Sequence, residues 1–116
     1  MLTEIKNKIE KVDPNVDYGV VDKARRETVW NYIVFNRVAL RNSANKTGKG
    51  DLFDVHIVRE NYIPDGLAES IISKLTEIPG VRETSEDGAY EYMVKPNTNT
   101  VVEMLTLHFV RARKNV

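Results

Sequence analysis

The run Val29–Arg37, "VWNYIVFNR", sets the tightest limit on what this chain can become, because it reads as a β-strand with apolar side chains on both faces. Successive side chains of a strand point to opposite sides. The odd positions present Val29, Asn31, Ile33, Phe35 and Arg37, and the even ones Trp30, Tyr32, Val34 and Asn36. A sheet built on such a strand needs cover on two sides. With 116 residues, the chain is expected to form one domain over 1–116 with one main core.

The rest of the chain supplies the elements around that strand. Leu2, Ile5, Ile9 and Val12 fall at helical spacing, so residues 2–12 are expected to form an amphipathic helix ended by Asp13–Asn15. Val16–Arg26 holds a short strand or a loop. The β-rich segment from Thr28 to Arg41 then pairs with the alternating "DLFDVHIVRE", which sets Phe53, Val55 and Ile57 against Asp54, His56 and Glu60. Between them, Asn42–Gly50 ("NSANKTGKG") reads as the exposed tip of a long hairpin.

Leu67, Ile71, Leu75 and Ile78 make one stripe, widened by Ala68 and Ile72, in the clearest helix of the chain. Asp65 is its expected N-cap, and Pro79–Gly80 its stop. A hairpin across Asp87–Gly88 is expected to join "VRETS" to the strand Ala89–Lys95. Pro96–Thr100 turns into a last strand, Val101–Arg111. The sum is an α+β fold: a mostly antiparallel four- or five-stranded sheet with two helices packed on one face.

Two short helices cover one face of such a sheet. The other would still carry Trp30, Tyr32, Val34, Met104 and His108. Either the N-terminal segment folds over it, or another subunit does. Apolar patches on small proteins mark contacts with other chains, and Trp, Tyr and Met are enriched there. Those five residues are therefore the expected subunit interface.

Catalytic readings are weaker. Asp54, His56 and Glu60 share a strand face and are of metal-binding or acid–base type, but polar residues alternating with apolar ones are what a half-buried strand requires. His108 stands alone on its strand as a packing or interface residue. H-E-x-x-H, P-loop and G-x-S-x-G signatures are missing from the sequence. The glycines and lysines of "NKTGKG" lead into a strand and not a helix, so they lack the setting of a phosphate cradle. Asn45, Lys46, Thr47, Gly48, Lys49 and Gly50 are instead expected to form a loop that touches a partner.

The 17 basic and 17 acidic residues balance, which disfavours a chain built mainly to neutralise phosphates. A nucleic-acid binder would need Lys46, Lys49, Arg111 and Arg113 on one surface. The absence of cysteine removes thiolate chemistry and fits a cytoplasmic product. The apolar runs fall short of the ~20 residues of a membrane span, and "MLTEIKNKIEKV" does not read as a signal peptide.

Several phrases carry a resemblance: "WNYIVFNR" (Trp30–Arg37), "DVHIVRENYIPDGL" (Asp54–Leu67), "IPGVR" (Ile78–Arg82) and "YEYMVKPNTNTVVEMLTLHFVRARK" (Tyr90–Lys114). They resemble small structural proteins of tailed phages and of prophages in Gram-positive hosts, and most of all the tail terminator, or tail completion, proteins of long-tailed phages. The resemblance spans about residues 28–114 and rests on the order of elements and phrases. It implies a non-enzymatic protein without cofactors that assembles with itself as a ring, usually a hexamer. Such a ring caps the tail tube protein and offers the joining surface to the head connector or a neck protein. DNA passes its lumen without being read. The implied location is the host cytoplasm during assembly and then the virion tail. Other head–tail connector or neck proteins share these features.

Overall fold

A computed structural model describes residues 2–22, 24, 27–42 and 48–114. The elements are α1 (Leu2–Glu10), β1 (Val16–Tyr18), β2 (Tyr32–Asn42), β3 (Gly48–Glu60), α2 (Leu67–Leu75), β4 (Val81–Glu83), β5 (Ala89–Val94) and β6 (Val101–Lys114). They form an α+β fold with a six-stranded, mostly antiparallel sheet in the order β1-β2-β3-β6-β4, with β5 also on β6. Among the described residues only the β1–β2 pair is parallel.

The strand count exceeds the expected four or five because β6 is long. Its 14 residues span about 46 Å, enough for two partners in tandem along one edge. β5 takes Val101–Thr106 and β4 takes Phe109–Arg111. The expected hairpin between "VRETS" and Ala89–Lys95 therefore does not form: both segments pair with β6 instead of with each other. Gly88 serves a different purpose from the tight turn expected of Asp-Gly. A Cβ at Gly88 would lie 3.3 Å from both the Leu107 side chain and the Thr106 carbonyl, so the residue lets the chain run close against β6.

The helices pack on one face, over Ile33, Phe35, Phe53, Val55, Ile57, Leu105, Leu107 and Phe109. Phe53 and Phe109 are directly paired across β3–β6, and their rings stack with centroids 5.3 Å apart. α1 contributes Ile5 and Ile9, and α2 contributes Ile71 and Leu75, all four fully buried. The expected stripe is therefore present, and Ile78 stays buried although α2 ends at Leu75 and Ile78 sits in the turn that follows. The N-cap of α2 is Gly66 at φ 87°, with no side-chain cap bond, and not Asp65. A left-handed glycine between Asp65 and the first helical residue moves that carboxylate out of capping position.

α1 is fastened to the sheet by a buried ion pair. Arg59 extends from β3 to the Asp13 carboxylate, and its guanidinium also donates to the Val58 carbonyl at 2.9 Å. Asp13 is buried, and its other oxygen accepts from Asn15 N–H at 2.9 Å, which shapes the turn from α1 into β1. By contrast, the Lys8–Glu77 pair between the helix ends is solvent-exposed. Removing one partner of a buried pair strands the other charge. Asp13→Ala is expected to lose about 3 kcal/mol in urea unfolding, whereas Lys8→Ala should leave the midpoint nearly unchanged. Equal midpoints for the two variants would contradict this assignment.

Candidate interaction surface on the second sheet face

The face opposite the helices has an apolar base and a polar upper part. At the base, Tyr32, Val34, Val58 and Val102 are buried together, with Val21, Trp30 and Met104 packed against them. The cover comes from within the chain. The connection from β1 to the parallel β2 crosses this face and lays Val21 on it. Tyr32 and Val34, expected at a subunit interface, are each only 7% exposed in the single chain. That expectation is corrected for these two residues: a parallel pair needs a crossover, and this crossover takes the place assigned to a partner. Trp30 and Met104 remain half-buried at its margin, and His108 is half-buried further along the same face.

Trp30 is held at a junction of three segments. Its backbone N–H donates to the Glu60 carboxylate, which also accepts from Lys95 Nζ at 3.2 Å. The same ammonium donates to the Thr28 carbonyl at 2.9 Å and lies 5.6 Å from the centre of the Trp30 ring. The Trp30 N–H, followed by Lys95, holds the Glu60 carboxyl below its usual range.

Above the apolar base, the registers of β2, β3 and β6 set His56 between Val34 and Thr106 in one row, and Asp54 between Asn36 and His108 in the next. His56 Nε2 lies 2.8 Å from Asn36 Oδ1, and Nδ1 lies 2.9 Å from Thr106 Oγ. A neutral imidazole protonated at Nε2 satisfies both contacts, donating to the amide oxygen and accepting from the hydroxyl. One row further along, His108 Nδ1 meets Asp54 Oδ1 at 2.7 Å, and a Glu86 oxygen lies 3.6 Å away. His108 is thus one half of a cross-strand pair, not the isolated side chain its strand suggested.

The set Asp54, His56 and Glu60 does not converge. Asp54 is directed to His108, His56 to Asn36 and Thr106, and Glu60 to Trp30 and Lys95. Among the described residues no group of three or more His, Cys, Asp or Glu side chains is placed to hold a metal ion. A cleft of about 590 Å³ does open beside the crossover, lined by Gly19, Val20, Val21, Tyr32, Val34, His56 and Val58. Its lining is mainly apolar, with Tyr32 and His56 as the polar side chains, and both nitrogens of the imidazole are engaged.

The expected partner-contact loop is shorter than Asn45–Gly50. Asn45, Lys46 and Thr47 lie outside the described residues, but Gly48, Lys49 and Gly50 are the first residues of β3, paired with Lys114, Arg113 and Ala112. Gly50 belongs there for packing: a Cβ would sit 3.0 Å from the Val110 side chain. The register sets Lys49 opposite Arg113, while Arg111 is bonded to Glu4 at 2.9 Å.

The most exposed part of the sheet lies outside the five residues expected at a subunit interface. Every residue of β5 is exposed, including Tyr90 at 57%, Tyr92 at 62% and Val94 at 56%. The signal was present in "AYEYMV", which is apolar and aromatic at every position but Glu91. What it lacked was the knowledge that this strand lies at the sheet's edge, beyond the helices. No family model matches this chain, and a search of curated proteins finds no match.

Burial depresses the His56 pKa, outweighing the Asp54 carboxylate that raises it; His108 lowers it further and Glu91 raises it. The folded chain therefore binds fewer protons here than the unfolded one, whose histidine titrates near ~6.5. This contribution to stability is full above that pH and is lost as the pH falls toward the folded pKa. Urea midpoints are expected to drop between about pH 7.5 and about pH 5.5. His56→Gln should show a smaller drop, and an equal one would assign the loss to other groups.

Proposed function

We propose that this chain is a non-enzymatic structural protein of a phage or prophage tail, which caps the tail tube as a ring and forms the joining surface to the head connector. The observation that carries this reading is the shape and finish of the sheet. β2, β3 and β6 run on past the helix-covered core, giving a body of 51 × 25 × 24 Å with Val38 and Leu40 exposed along the projecting end. Asp54, His56 and Glu60 are directed to three different sets of partners, whereas apolar side chains remain at the sheet surface, as an assembly subunit needs. The likeness of "WNYIVFNR", "DVHIVRENYIPDGL" and the Tyr90–Lys114 segment to tail terminator proteins supplies the particular assembly.

Ring closure requires a head-to-tail contact in which two different surfaces of each subunit match. The margin of the second face, with Trp30, Met104 and His108, is one such surface, and the projecting end of β2 and β3 is the contact to tube or neck. Tails assembled without the protein should appear in electron microscopy as overlong or headless tubes. Adding the wild-type chain to polymerising tube protein should fix their length, and Met104→Asp should fail to do so while keeping the wild-type circular dichroism. Tubes of normal length and full head attachment without the protein would end this reading.

A second reading, a small nucleic-acid-binding domain, is favoured by one feature, the juxtaposition of Lys49 and Arg113 at the end of the sheet. It requires DNA affinity that falls steeply with salt and is weakened by Lys49→Ala.

A further inference from the structure

The outer edge of β5 has no strand beside it among the described residues. Lys95 N–H donates to the Thr100 carbonyl at 2.9 Å, and bonded and non-bonded pairs alternate along an antiparallel ladder. Met93, Glu91 and Ala89 therefore exchange bonds with β6, while Val94, Tyr92 and Tyr90 turn their N–H and C=O groups to the open side. The Asn61 N–H bond to the Val101 carbonyl agrees, since it gives the odd residues of β6 to β3 and the even ones to β5. Open edges are normally short, bulged or shielded by charge. This one is six residues long, has no bulge in its pairing with β6, and carries exposed Tyr90, Tyr92, Met93 and Val94.

We infer that β5 pairs with β5 of a second copy of this chain, antiparallel about a two-fold axis at Met93, joining two six-stranded sheets into one. The occupant is indicated by charge complementarity. Glu91 and Lys95 stand two residues either side of Met93, on the same strand face. The two-fold axis sets Glu91 of each copy opposite Lys95 of the other, sets Met93 on Met93, and pairs the open backbone of Tyr92 with that of Val94. Lys95 has the capacity for this: its ammonium carries three donors, and Thr28 and Glu60 take two. The opposite edge suits such pairing less, because β1 is only three residues long and β2 beyond it is bulged between Arg37 and Ala39. This contact is isologous, unlike a ring contact, and so stands or falls separately from the proposed function.

The chain has no cysteine, which permits a direct test of the register. In a non-hydrogen-bonded pair at the axis, Cα atoms lie roughly 4.5 Å apart, within the range that a disulfide spans. Met93→Cys should give a disulfide-linked dimer under mild oxidation. Tyr90→Cys should not, because its two copies would lie about 20 Å apart at six residues' separation. Sedimentation equilibrium of the wild-type chain at high micromolar concentration should show a monomer–dimer equilibrium. Glu91→Lys should weaken it on the order of tenfold or more, since like charges would then face each other at both ends. Glu91→Gln, which removes the attraction without adding repulsion, should weaken it less than Glu91→Lys, with circular dichroism verifying the fold of each variant. A wild-type chain that stays monomeric overturns the inference. So does a dimer indifferent to Glu91→Lys, or one in which Tyr90→Cys cross-links as readily as Met93→Cys.

Discussion

The β3–β6 ladder is the constraint on which the rest of this structure depends. It runs without a break from Gly48 opposite Lys114 to Glu60 opposite Val102. Because side chains alternate with period two, this one register decides the face of every residue on both strands, and a slip of a single position would exchange the faces. It places Phe53 against Phe109 and Val55 against Leu107 beneath the helices. It equally places His56 against Thr106 and Asp54 against His108 on the other side. The length of β6 then lets β4 and β5 attach in tandem to its outer edge, so the six-stranded sheet is organised around one strand.

The two faces are finished by different means. The helix side is closed by dense aliphatic and aromatic packing. The second side is closed only at its base, where the β1–β2 crossover reaches Tyr32, Val34 and Val58. Further along, hydrogen bonds take over from packing: a neutral His56 bridges Asn36 and Thr106, and His108 meets Asp54. Pairing those polar groups across strands removes the cost of leaving them partly buried and unsatisfied. Asp54, His56 and Glu60 are thereby turned to three separate sets of partners: His108, Asn36 with Thr106, and Trp30 with Lys95.

Local pattern was legible where one element's own period decides the outcome. Ile5 and Ile9 in α1, Ile71 and Leu75 in α2, and Phe53, Val55 and Ile57 in β3 occupy the core as their spacing requires. Pattern failed where the outcome depends on which strand lies next to which. Asp87–Gly88 has the composition of a hairpin turn, yet both flanking segments pair with β6 and not with each other. The alternation along β2 also breaks at Val38, where the register to β3 shifts between Arg37 and Ala39, so counting odd and even positions through the strand misassigns its end.

The opening run, Val29–Arg37, divides along the same line. The sequence by itself determined that Ile33 and Phe35 point one way and Tyr32 and Val34 the other, because alternation is a property of the extended backbone. It also determined that both sides need cover, since both are apolar. Only the tertiary structure decided what provides it: helices on one side, and on the other the chain's own crossover, with Trp30 left at the margin. The physical reason is that a parallel β1–β2 pair forces the connecting segment across a face of the sheet, and parallel pairing is a relation between distant segments that no local period encodes.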